Sequence, residues 1–122
     1  MGWPRLHGEK TSPVNDELLI GWTTVQSQEQ AQSLARGLVE NRLAACVQVE
    51  GPITSTYRWK GSIETSEEWR LAIKFTKDRA AEVQTWIMDN HPYEAPQWVA
   101  VRADQASPQY LEWVQKETRP GQ

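Results

Sequence analysis

The sequence predicts an α+β fold in which two strand–helix–strand units share one antiparallel sheet and a further helix follows. Three observations predict it. Apolar residues recur at helical spacing in three separate segments of the chain. Apolar and polar residues alternate with a period of two through a pair of long segments that meet at Lys60-Gly61. Two short apolar runs, at residues 18–24 and 98–101, supply the remaining strands.

The first strand and helix are expected between residues 18 and 41. Residues 18–24 are apolar and uncharged, which is typical of a buried strand. Ser27 is expected to cap the helix, with Gln30 three residues later completing a capping box. We expect the helix to end near Asn41, a residue that tolerates the left-handed conformation found at helix C-termini. The apolar stripe of this helix comprises Ala31, Leu34, Ala35, Leu38 and Val39.

A long hairpin is expected next, with its turn at Lys60-Gly61. Gly51-Pro52 interrupts the first strand of the hairpin and predicts a bulge. Hairpin strands of this length exceed what one layer of helices covers, so part of the hairpin should extend beyond the domain or pair with another chain. The first strand of the hairpin is expected to place on one face Val47, Val49, Ile53, Tyr57 and Trp59. The second strand of the hairpin is expected to place on one face Ile63, Thr65, Trp69, Leu71, Ile73 and Phe75.

The second half of the chain repeats the strand–helix–strand order. Residues 78–90 form the second helix, which Pro92 ends, and residues 98–101 form the fourth strand. Ser107 and Pro108 begin the last helix. This order is the split βαβ, or ferredoxin-like, arrangement with an extra C-terminal helix. Both internal helices then cover one sheet face, and the bare face needs a partner, for which identical subunits are the commonest solution.

Length and composition indicate one globular domain, predicted at residues 16–119, after a flexible tail at residues 1–15. The net charge of −3 argues against binding to nucleic acid or to anionic membranes, and no apolar run is long enough to span a bilayer. The single cysteine, Cys46, excludes an internal disulfide, and we expect a cytoplasmic protein. Seven tryptophans are many for 122 residues and favour self-association.

The segment HPYEAP, residues 91–96, has two interpretations. Its prolines make a stiff connection between helix and strand. Alternatively, His91 and Glu94 bind a cation or another ligand on a preorganised loop. Cys46 is the remaining soft ligand, and as a ligand it needs partners from distant segments or other subunits, because no CxxC, HxH or HExxH spacing occurs.

No sequence pattern favours catalysis. The chain lacks G-x-S-x-G, GxGxxG and P-loop patterns, and we expect no enzyme activity. Lys74 lies on the parity opposite the apolar stripe of its strand, so it either snorkels within a subunit contact or binds an anion in a cleft between subunits. The acidic residues Glu64, Glu67 and Glu68 are expected to be a solvated face.

Four separated motifs resemble the CutA family of divalent-cation tolerance proteins. They are RLAACVQV (residues 42–49), TYRWKGSIE (56–64), HPYEAP (91–96) and YLEWV (110–114), in this order and at these spacings. The resemblance runs from about residue 17 to residue 118. It implies a ferredoxin-like subunit, similar to the PII signalling proteins, in a homotrimer with sheets inward and helices outward. It also implies a link to copper and divalent-metal tolerance, and no defined reaction.

The resemblance carries over to the metal ligands only in part. Copper-linked bacterial members carry a cysteine where this chain has Thr23, and a double histidine where it has Asn90 and His91. Cys46 and His91, with Glu94, therefore remain as candidate ligands for a weakly bound, non-obligatory copper or other divalent cation. By analogy with PII-like trimers, an intersubunit cleft is the other candidate site. The residues expected near it are Tyr57, Trp59, Lys74, Tyr93, Tyr110 and Trp113, beside Glu94.

Three functions follow as hypotheses. The first is a homotrimeric protein that responds to divalent metal ions, copper among them. The second is a PII-like sensor of a small molecule or anion, which uses Lys74 and the aromatic side chains of the cleft. The third is a non-catalytic trimeric scaffold that presents its helices or its N-terminal tail to a partner protein.

Overall fold

In the computed structural model, residues 17–120 are described, and their elements follow the predicted order. The predicted tail at residues 1–15 and the domain start at residue 16 lie outside this range. A short 3-10 turn, Lys77–Arg79, leads into the second helix, which begins slightly later than expected. The elements are β1 (Leu18–Val25), α1 (Gln28–Glu40), β2 (Cys46–Trp59), β3 (Ser62–Thr76), α2 (Ala80–Asn90), β4 (Val99–Arg102) and α3 (Pro108–Glu117).

The strands of the described residues form one four-stranded antiparallel sheet in the order β2-β3-β1-β4. This order, with α1 and α2 connecting the strands, confirms the predicted α+β, ferredoxin-like class. Strand β1 lies in the centre, where Leu18 pairs with Thr76 and Val25 pairs with Trp69 of β3. Strands β2 and β4 form the two outer edges of the sheet.

The main core lies between one face of the sheet and the helices α1 and α2. Of the predicted α1 stripe, Ala31, Leu34 and Leu38 are buried and Ala35 is partly buried, but Val39 is 42% exposed, so the stripe is narrower than predicted. Helix α2 contributes Val83 and Ile87. Trp98, just before β4, stacks over Phe75 with ring centroids 6.0 Å apart. The indole of Trp98 also lies so close to Gly21 of β1 that a Cβ there would be 2.4 Å from its ring. The buried sheet residues facing these helices are Leu71, Ile73 and Phe75.

Helix α3 packs against the opposite face of the sheet, which the sequence led us to expect bare. Val114 of α3 is fully buried with Leu18 and Ala45, and Leu18 has the parity opposite to the core-facing Leu19. One end of this face is therefore covered within the chain. The rest remains exposed around β4, where Val99 and Val101 are 52% and 45% exposed.

The β2–β3 hairpin extends beyond the sheet, as predicted. Strand β1 pairs with β3 only as far as Trp69, so residues 62–68 of β3 pair with β2 alone. We call this two-stranded projection, residues 53–59 and 62–68, the arm. Ile63 within it is 68% exposed. A two-stranded ribbon without a third strand is marginal in water, so the arm needs further contacts.

The predicted bulge is present between Glu50 and Ile53, but it makes one sequence prediction wrong. Val49 lies opposite Leu71, whereas Ile53 lies opposite Glu68, because the bulge inserts one extra residue into β2. A shift of one residue moves all later side chains to the other face. Tyr57 and Trp59, like Ile53, therefore do not share the face of Val47 and Val49.

The helix ends agree with the sequence in part. The Ser27 side chain accepts a hydrogen bond from the Gln30 backbone N–H at 3.1 Å, as expected of the N-cap. The Gln30 side chain accepts from Gln26 rather than Ser27, so the capping box is not closed. Asn41 has φ −89°, and the left-handed residue is Arg42, with φ 57°. No helix within residues 17–120 has the length and apolarity needed to cross a membrane.

Candidate functional site

The HPYEAP loop leaves the end of α2 and fastens to the end of β1 through His91. The backbone N–H of His91 donates to Ile87 and closes the last turn of α2. Its Nε2 lies 3.0 Å from the Thr23 hydroxyl and 2.9 Å from the Thr24 carbonyl oxygen. Its Nδ1 accepts the backbone N–H of Tyr93 at 3.0 Å. Because Nδ1 is the acceptor, Nε2 carries the proton of the neutral ring and donates to Thr24.

Tyr93 extends the loop towards the arm. Its hydroxyl donates to Glu68 Oε2 at 2.7 Å, and Glu68 is only 8% exposed. Burial and the neighbouring Glu68 carboxylate raise the pKa of the Tyr93 hydroxyl well above its ordinary value, so the hydroxyl remains a donor. The ring of Tyr93 also meets His91 edge-on, with centroids 4.8 Å apart. The expectation that Glu68 is solvated is therefore wrong, although Glu64 and Glu67 are exposed.

The environment of His91 keeps its ring neutral near pH 7. Burial lowers the pKa of His91 below 6.5, and it outweighs the hydrogen bond to Thr24 and the charge of Glu68, which both raise it. Neutral imidazole is the form that binds metal ions. Both ring nitrogens already have partners, however, so a cation at Nε2 must displace the Thr24 carbonyl.

We expect stability to fall with acidification through the titration of His91. The unfolded chain binds a proton near pH 6.5 and the folded chain binds it only at lower pH, so the unfolded state gains protons first. The free energy of unfolding should therefore be retained in full above about pH 7, fall as pH drops through 6.5, and level off below the folded pKa. His91→Gln should flatten this part of the profile. Chemical denaturation at several pH values and one protein concentration measures it, and an unchanged slope in the variant would contradict the assignment.

The other candidate metal ligands, Cys46 and Glu94, do not form a group of three with His91 in the described residues. Cys46 is half-buried at the start of β2 and pairs with Lys74, whereas Thr23, which contacts His91, pairs with Leu71. Glu94 is exposed on the loop. Within residues 17–120, no group of three or more His, Cys, Asp or Glu side chains could hold a metal ion. The described part of one chain therefore offers an incomplete set of ligands rather than an assembled site.

The residues expected near the cleft fall in three places. The ammonium group of Lys74 donates to Gln48 at 2.8 Å and lies 5.8 Å from the Tyr110 ring centroid. Tyr110 in turn lies 5.7 Å from Trp113, so these residues form one cluster beside α3. Tyr93 belongs to the loop. Tyr57 and Trp59 are exposed on the arm, where the Tyr57 hydroxyl lies 3.2 Å from Ser66. Their convergence across subunits stays a prediction.

Sequence reasoning missed two contributors, Gln48 and Glu68. Gln48 accepts the hydrogen bond from Lys74. In the sequence, the alternation of apolar and polar residues along β2 identified Gln48 only as a polar position. Glu68 gave a weak signal, because it is the acidic residue directly before Trp69, a member of the predicted apolar stripe.

The comparisons with known proteins agree with this architecture. The family model described as CutA1 divalent ion tolerance protein matches residues 19–117. The chain belongs to the CutA1 family. It is 38% identical to Protein CutA homolog of Xenopus laevis over 103 residues, covering 84% of this chain and 68% of that protein. It is 37% identical to the divalent-cation tolerance protein CutA of Thermus thermophilus over 95 residues, covering 78% and 92%.

Solved structures of CutA proteins have the same fold. CutA from Xylella fastidiosa superimposes with a TM-score of 0.82 at 35% identity, over 84% of this chain and 99% of that one. The resemblance read from the four motifs is thereby confirmed. CutA1 membership establishes this chain as a divalent-cation tolerance protein at the level of the family.

Proposed function

We propose that this chain is a non-catalytic, homotrimeric CutA protein that responds to divalent cations and binds copper or a similar ion weakly. The observation that carries the proposal is the surface that residues 17–120 leave uncovered. It consists of two open strand edges, an apolar sheet face around β4 and the projecting arm. Family membership supplies the link to divalent cations.

The direction of the strands supports assembly into a ring. All neighbouring strands are antiparallel, so the outer strands β2 and β4 run in opposite directions. The open edge of β4 in one copy suits antiparallel pairing with the open edge of β2 in the next. Such a head-to-tail contact uses two different surfaces and must close into a ring or continue as a filament. Three copies are the number that the resemblance to CutA implies, and the arm is the element long enough to reach a neighbour.

The donor atoms fit a weak cation site. The neutral imidazole of His91 suits copper or zinc, and the exposed carboxylate of Glu94 is a hard ligand three residues away. Thr23 and Asn90 offer only oxygen or amide donors. The bound ion supplies no reaction in this proposal. Cys46 and His91 do not act as a catalytic pair, since the ring nitrogens of His91 are engaged by Thr24 and Tyr93.

Copper titration by calorimetry tests the assignment of His91. We expect weak binding to the wild type and at least about a tenfold loss of affinity in His91→Ala, the lower end of what altered ligand shells typically cause. Gln97→Ala, which changes an exposed residue just after the same loop, is the matched control and should bind as the wild type does. Identical curves for the wild type and His91→Ala would remove His91 from the site.

A further inference from the structure

We propose that Tyr93 and Glu68 form a latch that fixes the direction of the arm and couples the HPYEAP loop to subunit assembly. The part concerning assembly rests on the proposed function, because it takes the arm to be an element that contacts neighbouring copies. The part concerning the direction of the arm rests on the geometry of one chain.

The latch lies where the arm loses its third strand. Val25 is the last residue of β1 that pairs with β3, and its partner is Trp69. Glu68 is therefore the first residue of β3 without a neighbour in β1. Tyr93 belongs to the loop that His91 joins to Thr23 and Thr24 near the end of β1, and it donates its hydroxyl to Glu68 at 2.7 Å. The loop thus supports the arm at the point where the central strand stops.

The same point is where β2 bends. The bulge between Glu50 and Ile53 faces Trp69, the neighbour of Glu68. The indole of Trp69 lies directly against Gly51, where a Cβ would be 2.5 Å from the ring. A bulge bends its strand and increases the local twist, so contacts at this point bear on the direction in which the arm leaves the sheet. The hydrogen bond to Tyr93 is such a contact on β3.

At its other end, the latch is anchored to rigid structure. The backbone N–H of Tyr93 donates to His91, whose ring contacts Thr23 and Thr24 of the central strand. Each contact from β1 through His91 and Tyr93 to Glu68 is 3.0 Å or shorter. A change in the loop therefore reaches the arm through a few short, directional contacts.

The chemistry of the pair makes the latch strong for a single hydrogen bond. A hydroxyl donor and an ionised carboxylate form a charge-assisted bond, about twice as strong as a neutral one. Glu68 is more than nine-tenths buried, and a buried carboxylate that loses its donor is costly. If the arm contacts neighbouring copies, binding at the loop and assembly must influence each other to the same extent, because coupling between sites is reciprocal.

Hydrogen exchange in the full-length protein tests the latch, using the backbone amides of residues 62–68. We expect Tyr93→Phe to speed exchange there at least about tenfold, corresponding to about 1.4 kcal/mol, close to the lower limit for a hydrogen bond to a charged group. Tyr93→Phe combined with Glu68→Gln should exchange more slowly than Tyr93→Phe alone, since the second change removes the unpaired buried charge. Glu67→Gln is the matched control: it removes the same charge from the exposed neighbour and should leave exchange unchanged.

Mass measured by light scattering over a dilution series separates the two parts. For the latch to couple to assembly, Tyr93→Phe must dissociate at higher concentration than the wild type and Glu67→Gln must not. If the backbone amides of residues 62–68 exchange at the same rate in Tyr93→Phe as in the wild type, the latch itself is overturned. Faster exchange with unaltered dissociation would overturn the coupling. A wild type that remains a single chain at every concentration would instead overturn the proposed trimer, and the exchange result would still decide whether the latch exists.

Discussion

Val99→Asp combined with Val101→Asp should convert the proposed trimer to single chains of 14.0 kDa. Both valines belong to the edge strand β4, opposite Trp22 and Ile20 of β1, and they lie on the face that α3 leaves open. Covering even a neutral polar group without a partner costs roughly 2 to 7 kcal/mol, and a carboxylate costs more. Two carboxylates in a contact between copies should therefore abolish it.

The fold of each chain should survive this change, because both side chains are about half exposed in the single chain. Met88→Asp is the control. Met88 is 41% exposed on α2, on the helical side of the domain, so the same charge there should leave assembly intact. Light scattering gives the mass and far-ultraviolet circular dichroism confirms the fold. If the doubly substituted protein has the mass and dilution behaviour of the wild type, the contact between copies uses a surface other than the one around Val99 and Val101.

Much of the fold could be predicted because its signals are local. The stripe of α1, the cap at Ser27 and the hairpin turn at Lys60-Gly61 each depend on residues a few positions apart. The sheet face on which Ile53 lies could not be predicted from alternation. The bulge adds one residue to β2, and where this residue falls depends on the pairing of β2 with β3. Periodicity shows that a strand exists more reliably than it shows which side chains share a face after an irregularity.

The candidate site was less predictable because its contacts join distant segments. His91 was predicted to be a ligand from its residue type, but its partners Thr23 and Thr24 are 68 and 67 residues away. The hydrogen-bond donor to Glu68 is Tyr93, 25 residues further along the chain. Lys74 was expected to need a partner, and Gln48 provides one across the hairpin. Such pairings follow from strand order and register, which residue spacing alone does not determine.

Phe75→Ala should lower the free energy of unfolding by about 3–5 kcal/mol, the usual cost of emptying a fully buried phenylalanine site. Phe75 is fully buried on β3 between the helices and the sheet, and it is the only phenylalanine in the chain. It also supports Trp98, which stacks on it immediately before β4. The cavity should therefore loosen the start of β4 as well as the core, and weaken the contact proposed between β4 and a neighbouring copy.

Phe75→Leu fills most of the same space and should lose much less stability, which makes it the matched comparison for the alanine variant. Guanidinium chloride unfolding at one fixed protein concentration measures stability, because assembly adds to the apparent value. Dilution then reports assembly under native conditions. The expected pattern is a large loss of both stability and assembly for alanine and a small loss of both for leucine. If alanine lowered stability by the expected amount yet left dissociation unaltered, β4 would not depend on the Phe75–Trp98 stack, and the edge contact would have to be positioned by its pairing with β1 alone.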